Sequence, residues 1–249
     1  GIVDLVYNFK PDGNLNYRVD NKSGQDQYFV YDYQDRLQFW DAYSHNDTYP
    51  LQDYNITYNA TTGTITYKSD VGEDFRYGEG NNKPHALTSL YPVNNSIFSS
   101  EALEIIYNDF KKVQTITEGN NKRYDLTYGV DGQRRKSVYS QYGSIQKTRY
   151  YIGDYEEEIN AYGTVRKNHF LTGAVCIQNN GASMVLYTHT DYQGSLIALT
   201  DKNGKIYERY AYDPWGKRIN PDNWTEKDTR TSFMLDRGYT GHEHLDQFG

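Results

Sequence analysis

Short aromatic and β-branched runs, broken by glycine-bearing reversals, fill this chain, and within the runs apolar and polar positions alternate with the period of a strand. In Tyr124-Asp125-Leu126-Thr127-Tyr128 the apolar residues share one face, and Asp125 and Thr127 take the other. Run, turn and run recur over residues 7–17 around Asp12-Gly13, and over residues 56–67 around Gly63. In residues 196–210 the dipeptide Asn203-Gly204 predicts the paired left-handed positions of a type I′ hairpin turn. Asp131-Gly132, Tyr142-Gly143 and Tyr162-Gly163 continue the series at irregular intervals, as a degenerate repeat does. The expected fold is all-β, an antiparallel hairpin array forming a large curved, Tyr-rich sheet.

Two stretches break the pattern. Residues 69–99 carry Gly72, Gly78, Gly80, Pro84 and Pro92 among Asn and Ser, which predicts a loop-rich connection between two hairpin groups. Residues 100–107 mix a helix-start signal, Ser100 before Glu101, with the β-branched and aromatic run Ile105-Ile106-Tyr107, and the latter favours a strand. The predicted organisation is N-terminal hairpins over 1–68, the connection over 69–99, and further hairpins over 100–249, in one continuous β body.

Composition sharpens this picture. Hydrophobic residues are 37% of the 249, yet 27 Tyr, 9 Phe and 3 Trp supply large apolar faces, so a core must be built from tyrosine. A net charge of −7 lacks the basic footprint of a nucleic-acid binder. No apolar run approaches the roughly 18 residues of a membrane span, and Gly1-Ile2-Val3-Asp4 has no signal-peptide character, so a soluble chain is expected, with any export signal removed or upstream. The single Cys176, within Gly173-Ala174-Val175-Cys176-Ile177, reads as an inert thiol in a buried strand.

Several segments resemble the bacterial Rhs and YD-repeat family. Phe29-Val30-Tyr31-Asp32-Tyr33-Gln34-Asp35-Arg36-Leu37 is similar to the YD repeat, with Tyr31, Asp32 and Arg36 on its motif and Asp35 where the family usually has glycine. Lys83-Pro84-His85-Ala86-Leu87 and Gly129-Val130-Asp131-Gly132-Gln133-Arg134-Arg135-Lys136 resemble further pieces. The most specific match, to the Rhs repeat-associated core, runs through His189, Asp191, Gly194 and Ser195, then Asp213, Pro214 and Gly216, then Gly241, His242 and Glu243. The resemblance implies a partial YD-repeat shell, a hollow β cocoon holding a toxin domain. It also implies as partner a toxin domain or the remainder of a larger chain, and a secreted or cell-surface bacterial location. The family's aspartate-dependent self-cleaving segment would lie beyond Gly249, so no residue here inherits that role.

Candidate chemistry is sparse. His242-Glu243-His244 would place two imidazoles on one side of a strand, with His189 and Asp191 as further ligands, but the spacing is not that of the helical zinc motif, and no metal or other cofactor is assigned. Glu156-Glu157-Glu158 reads as a solvated strand. No phosphate loop, nucleophile elbow or cysteine pair occurs, and no catalytic residue is assigned. Trp40, Trp215 and Trp224 are candidate platforms for stacking sugars, or else plugs at hairpin ends. Steric enclosure without catalysis is therefore the leading expectation, a cell-surface carbohydrate-binding module the alternative, and a hydrolase would need a cleft of convergent carboxylates. Open sheet edges predict either cover by residues 69–99 and 221–228 or self-association through the edges.

Overall fold

The computed structural model describes residues 1–45, 53–79, 85, 87–93 and 103–248. Apart from a single 3-10 turn at Tyr239–Gly241, its regular elements are strands. An eight-stranded antiparallel sheet is built in chain order from β1 (Leu5–Phe9), β2 (Leu15–Asp20), β3 (Gln25–Tyr31) and β4 (Leu37–Ser44), then β5 (Asp53–Tyr58), β6 (Ile65–Lys68), β7 (Gly72–Tyr77) and β8 (Leu87–Pro92). An eleven-stranded sheet follows in the same manner. It holds β9 (Leu103–Tyr107), β10 (Val113–Glu118), β11 (Lys122–Tyr128), β12 (Arg134–Gln141), β13 (Ser144–Ile152) and β14 (Tyr155–Asn160). It continues with β15 (Val165–Leu171), β16 (Ala174–Asn179), β17 (Ala182–Thr190), β18 (Leu196–Thr200) and β19 (Ile206–Arg209). A small sheet of β20 (Ala211–Tyr212), β21 (Arg218–Asn220) and β22 (Asn223–Lys227) completes the set. Each large sheet grows by pairing every strand with its sequence neighbour, as the hairpin pattern predicts, and neither closes into a barrel.

The small sheet is a wedge between the two large ones. Successive residues of β20 point to opposite sides. Ala211 thus joins Phe29, Trp40, Ala42, Ile219 and Trp224 in one core, while Tyr210 and Tyr212 join Val175, Leu186, Leu199 and Leu235 in the other. Trp40, 1% exposed, stacks on Tyr54 at 3.8 Å. Polar ties cross the same seam: Trp224 N–H donates to Gln25 Oε1 at 3.0 Å, and the Arg209 guanidinium meets Asp20 at 2.9 Å.

Three local expectations need correction. Residues 69–99 hold β7 and β8 where a connection was predicted. The strand takes glycine at Gly72, where a Cβ would collide with the Tyr91 carbonyl, and Pro92 ends β8, which is paired on one side only among the described residues. Gly80, Pro84 and residues 100–102 lie outside the described residues, but Leu103–Tyr107 is a strand, as its β-branched run favoured. Residues 221–228, expected as edge cover, instead contribute β22, which packs on β3 and β4. Cys176 is in a strand but only half-buried, since it faces away from the buried Val175 and Ile177 and lies opposite His169.

Candidate functional site

Most of the motif residues singled out by sequence build one recurring turn. In Asp32–Arg36 the N–H of Asp32 donates to Arg36 O at 2.9 Å and that of Asp35 to Asp32 O at 3.1 Å, closing a β-turn followed by one left-handed residue. The same pair of bonds closes 10–14, 108–112, 129–133, 160–164, 191–195, 201–205, 213–217 and 238–242. Where the first residue is Asp or Asn, its side-chain oxygen accepts from the backbone two and four positions on. Asp32 takes Gln34 and Arg36 N–H at 2.9 and 3.0 Å, Asp191 takes Gln193 and Ser195 at 2.9 and 2.7 Å, and Asp213 takes Trp215 and Lys217 at 2.8 Å each.

The fourth position is left-handed. Gly194 and Gly216 fill it at φ 86° and 90°, Gly241 at 74°, and Asp35 at 59°, a conformation Asp tolerates better than most residues. Pro214 takes the position after the cap, where its fixed φ suits the turn. Asn203-Gly204 follows this form too: Gly204 alone of the pair is left-handed, because Asp201 caps Asn203 and Lys205 and draws the reversal one residue wider. True paired left-handed turns occur instead at Tyr142-Gly143 and Asn180-Gly181.

Several hairpin ends are welded to the turn before them on the same margin by a tyrosine at the end of the strand. Tyr58 and Tyr128 hydroxyls donate to Leu37 O and Val113 O at 2.7 Å each, and Tyr77 to Ile65 O at 3.0 Å. In every case the acceptor is the first residue after the preceding turn on that margin. A cation from that earlier turn lies over the ring: Arg36 over Tyr58 at 4.3 Å, Lys112 over Tyr128 at 5.5 Å, and Lys10 over Tyr31 at 5.5 Å. Arg36 also closes on Asp32 at 2.6 Å, and this hydrogen-bonded pairing holds the Asp32 carboxyl below the usual range. The motif Tyr31, Asp32 and Arg36 is therefore one joint, in which phenol, cap and cation each face a different neighbour.

The second cluster lies on the face of the large sheet, under a C-terminal strap of residues 228–248. Arg149 on β13, 6% exposed, meets Glu243 at 2.5 Å and also grips Glu158 and Asp236. Arg134 grips Glu243 from β12, and Tyr151 donates to both its oxygens at 3.0 Å. Burial alone would raise the Asp236 carboxyl, but Arg149 and Lys147 outweigh it and hold it below the usual carboxylate range. The same three carboxylates push Arg149 up against its own burial. Glu156 and Glu158 are thus not a solvated run: Glu156, 4% exposed, is bound by Arg237 at 2.6 Å, and only Glu157 points to the opposite face. A cavity of about 360 Å³ lies between strap and sheet, but its carboxylates Glu156, Glu158 and Asp236 are clamped by guanidinium groups.

The histidines are dispersed. His189 Nε2 pairs with Thr200 Oγ1 at 2.9 Å, His242 Nδ1 with Thr240 Oγ1 at 2.7 Å, and His244 Nε2 accepts from Tyr239 N–H at 3.0 Å. Asp191 is a turn cap, and no grouping of three His, Cys, Asp or Glu side chains suited to a metal occurs among the described residues. Ser195, fully buried, accepts from Thr240 N–H at 3.1 Å and so joins two of the turns. Asp213 is 2% exposed, and burial raises its carboxyl against the opposing charge of Lys68. Trp40 and Trp224, at 1% and 4% exposure, present no face to a sugar because both are core. Trp215, 46% exposed with Lys68 over its ring at 5.5 Å, keeps an accessible surface. Sequence reasoning missed Arg149 and the strap, since Arg149 and Glu243 are 94 residues apart and no local pattern joins them.

No known family profile matches the chain, and no curated protein matches it. Solved structures do. Crystal structures of TcdB2-TccC3, of TcdB2-TccC3 without its hypervariable C-terminal region, and of TcdB2-TccC3-Cdc42 superpose with TM-scores of 0.61, 0.60 and 0.61 at 16%, 15% and 16% identity. They match 97%, 97% and 98% of this chain, which spans 15%, 14% and 15% of theirs. The shared property is the fold. Among the described residues no helix is long and apolar enough to cross a membrane.

Proposed function

We propose that this chain is a strip of the wall of a bacterial Rhs-type container, which encloses a toxin domain by steric confinement outside the producing cell and takes no part in a covalent step. The observation that carries the reading is the lateral joint. Hairpins are welded one to the next by Tyr58, Tyr77 and Tyr128, while β1, β8, β9 and β19 are each paired on one side only among the described residues. Such an array gains by being prolonged, because an unpaired edge leaves backbone donors and acceptors to solvent or to a neighbour. Superposition of nearly the whole chain on about a seventh of much longer chains is what a strip of a larger body would give. A hypervariable C-terminal region, named in one of those structures, suits a constant wall around a variable cargo.

On this reading Tyr31, Asp32, Arg36, Asp191, Gly194, Ser195, Asp213, Pro214, Gly216 and Gly241 build turns, and Glu243 with Arg149 seats the strap. The partner is the rest of a larger chain, or a second copy joined through the sheet edges. Electron cryomicroscopy and limited proteolysis of the full-length gene product test the proposal. A hollow particle is expected, with these strands continuous with further hairpins and a protease-protected chain inside. A full-length product whose sheets stop at these edges and surround no space would refute it.

A further inference from the structure

The strap is also tied to the wall at a point that neither the turn joints nor Arg149 supply. His244, 16% exposed, lies against the Tyr212 ring at 5.5 Å. It also abuts the backbone of Gly238 so closely that a Cβ there would come within 2.7 Å of its Nε2. Because Nε2 accepts the Tyr239 N–H at 3.0 Å, that nitrogen carries no proton. The His244 N–H donates to Asp236 O at 2.8 Å, so this one residue staples both arms of the 236–244 reversal. The reversal in turn reaches β18 through Leu196 N–H to Gly238 O at 3.1 Å and Thr240 N–H to Ser195 Oγ at 3.1 Å.

We propose that His244 is a proton-operated latch: neutral, it holds the 236–244 reversal on the wall, and its protonation loosens the strap in mildly acidic surroundings. This property belongs to the chain whether or not it encloses a cargo. Protonated Nε2 has no lone pair and would confront the Tyr239 N–H donor to donor. The groups facing the ring decide whether the new cation finds a partner. From the strap these are Asp236, His242, Glu243 and Asp246; from β13, Lys147 and Arg149; from β21, Arg218; from β20, the Tyr212 ring. Asp246 Oδ1 stands 4.0 Å from Nδ1 but is taken by Arg218 Nε at 3.2 Å, while Asp236 and Glu243 are held by Arg149.

Burial, with Arg218 next, lowers the imidazole from 6.5 to about 4. A group lowered in this way contributes its full share above pH 6.5 and loses it progressively as pH falls toward 4. The difference of about 2.5 between the two values caps the weakening at about 300-fold, and solvent reaching the ring reduces it, so roughly tenfold is the working expectation.

Hydrogen exchange of the full chain between pH 7 and pH 4.5, corrected for intrinsic rates, tests the latch. Protection of residues 236–246 should fall about tenfold while β11 to β15 keep theirs. In His244→Gln, whose Oε1 can accept the same N–H but does not titrate, protection should persist. Unchanged protection in the parent, or an equal fall in the variant, overturns the proposal. Nitrogen-15 NMR of the six histidines of the parent chain gives a second reading that needs no variant. One imidazole titrating well below the rest is expected, and six that all titrate near the ordinary value overturn it.

Discussion

Replacing Arg149 with Met removes one guanidinium and leaves Glu158, Asp236 and Glu243, with side chains 18%, 26% and 13% exposed, facing one another across the space it filled. Removing one partner of a buried ion pair costs about 3–5 kcal/mol, chiefly because the opposite charge stays behind. Lys147, 3.2 Å from Glu158 and 3.6 Å from Asp236, and Arg134 on Glu243 compensate in part, which places the expected loss near the lower end, about 3 kcal/mol at pH 7.5. The loss must also depend on pH in a stated sense. Asp236 is lowered in the parent, so its stabilising share is present above the ordinary carboxylate value and disappears as pH falls below it. In the variant the burial of Asp236 goes unopposed by Arg149, its carboxyl takes up a proton sooner, and the gap between variant and parent narrows by pH 4.5. Urea denaturation followed by far-ultraviolet circular dichroism at both pH values measures this. Arg123→Met is the control, since the Arg123–Asp125 pair is 55% and 36% exposed and worth about 1 kcal/mol or less. A loss at Arg149 no larger than the control's, or one that does not change with pH, refutes the account of the clasp.

The tyrosine joint predicts that Tyr58→Phe and Tyr128→Phe each cost about 1 kcal/mol, the net worth of one hydrogen bond, and that the effects add because the residues sit in different sheets. Tyr33→Phe, at an 86% exposed turn position, should leave the urea midpoint unmoved, and equal effects at all three would remove the joint's special status. Gly216→Ala should lower the melting temperature more than Gly143→Ala. Both positions are left-handed and carry a backbone cost of about 1–2 kcal/mol, but a Cβ at Gly216 also comes within 2.7 Å of the Tyr239 ring, whereas that at Gly143 meets nothing within 4 Å. Calorimetry showing the reverse order would deny the close seating of strap on turn.

What the sequence alone determined is the local strand-and-turn pattern. Alternation with period two and the Asp, Asn and Gly of the turns act within about ten residues, so the antiparallel hairpin array was legible in Tyr124–Tyr128 and in Tyr31-Asp32. Even there, a neighbour two residues away chose between outcomes: the Asp201 carboxylate, and not Asn203-Gly204 itself, sets the turn before β19. Glycine was ambiguous for the same reason, since Gly72 serves close backbone approach inside a strand and Gly216 serves a turn. Tertiary structure decided which side of each strand is covered, because that depends on what lies across it. Trp40 and Trp224 vanish into a core completed by β20 and β21, and Glu156 and Glu158 turn from surface charges into clasp residues when Arg237 and Arg149 close on them. Ion pairs between residues some 80 to 110 positions apart leave no periodic trace in the chain; only folding brings their partners within reach.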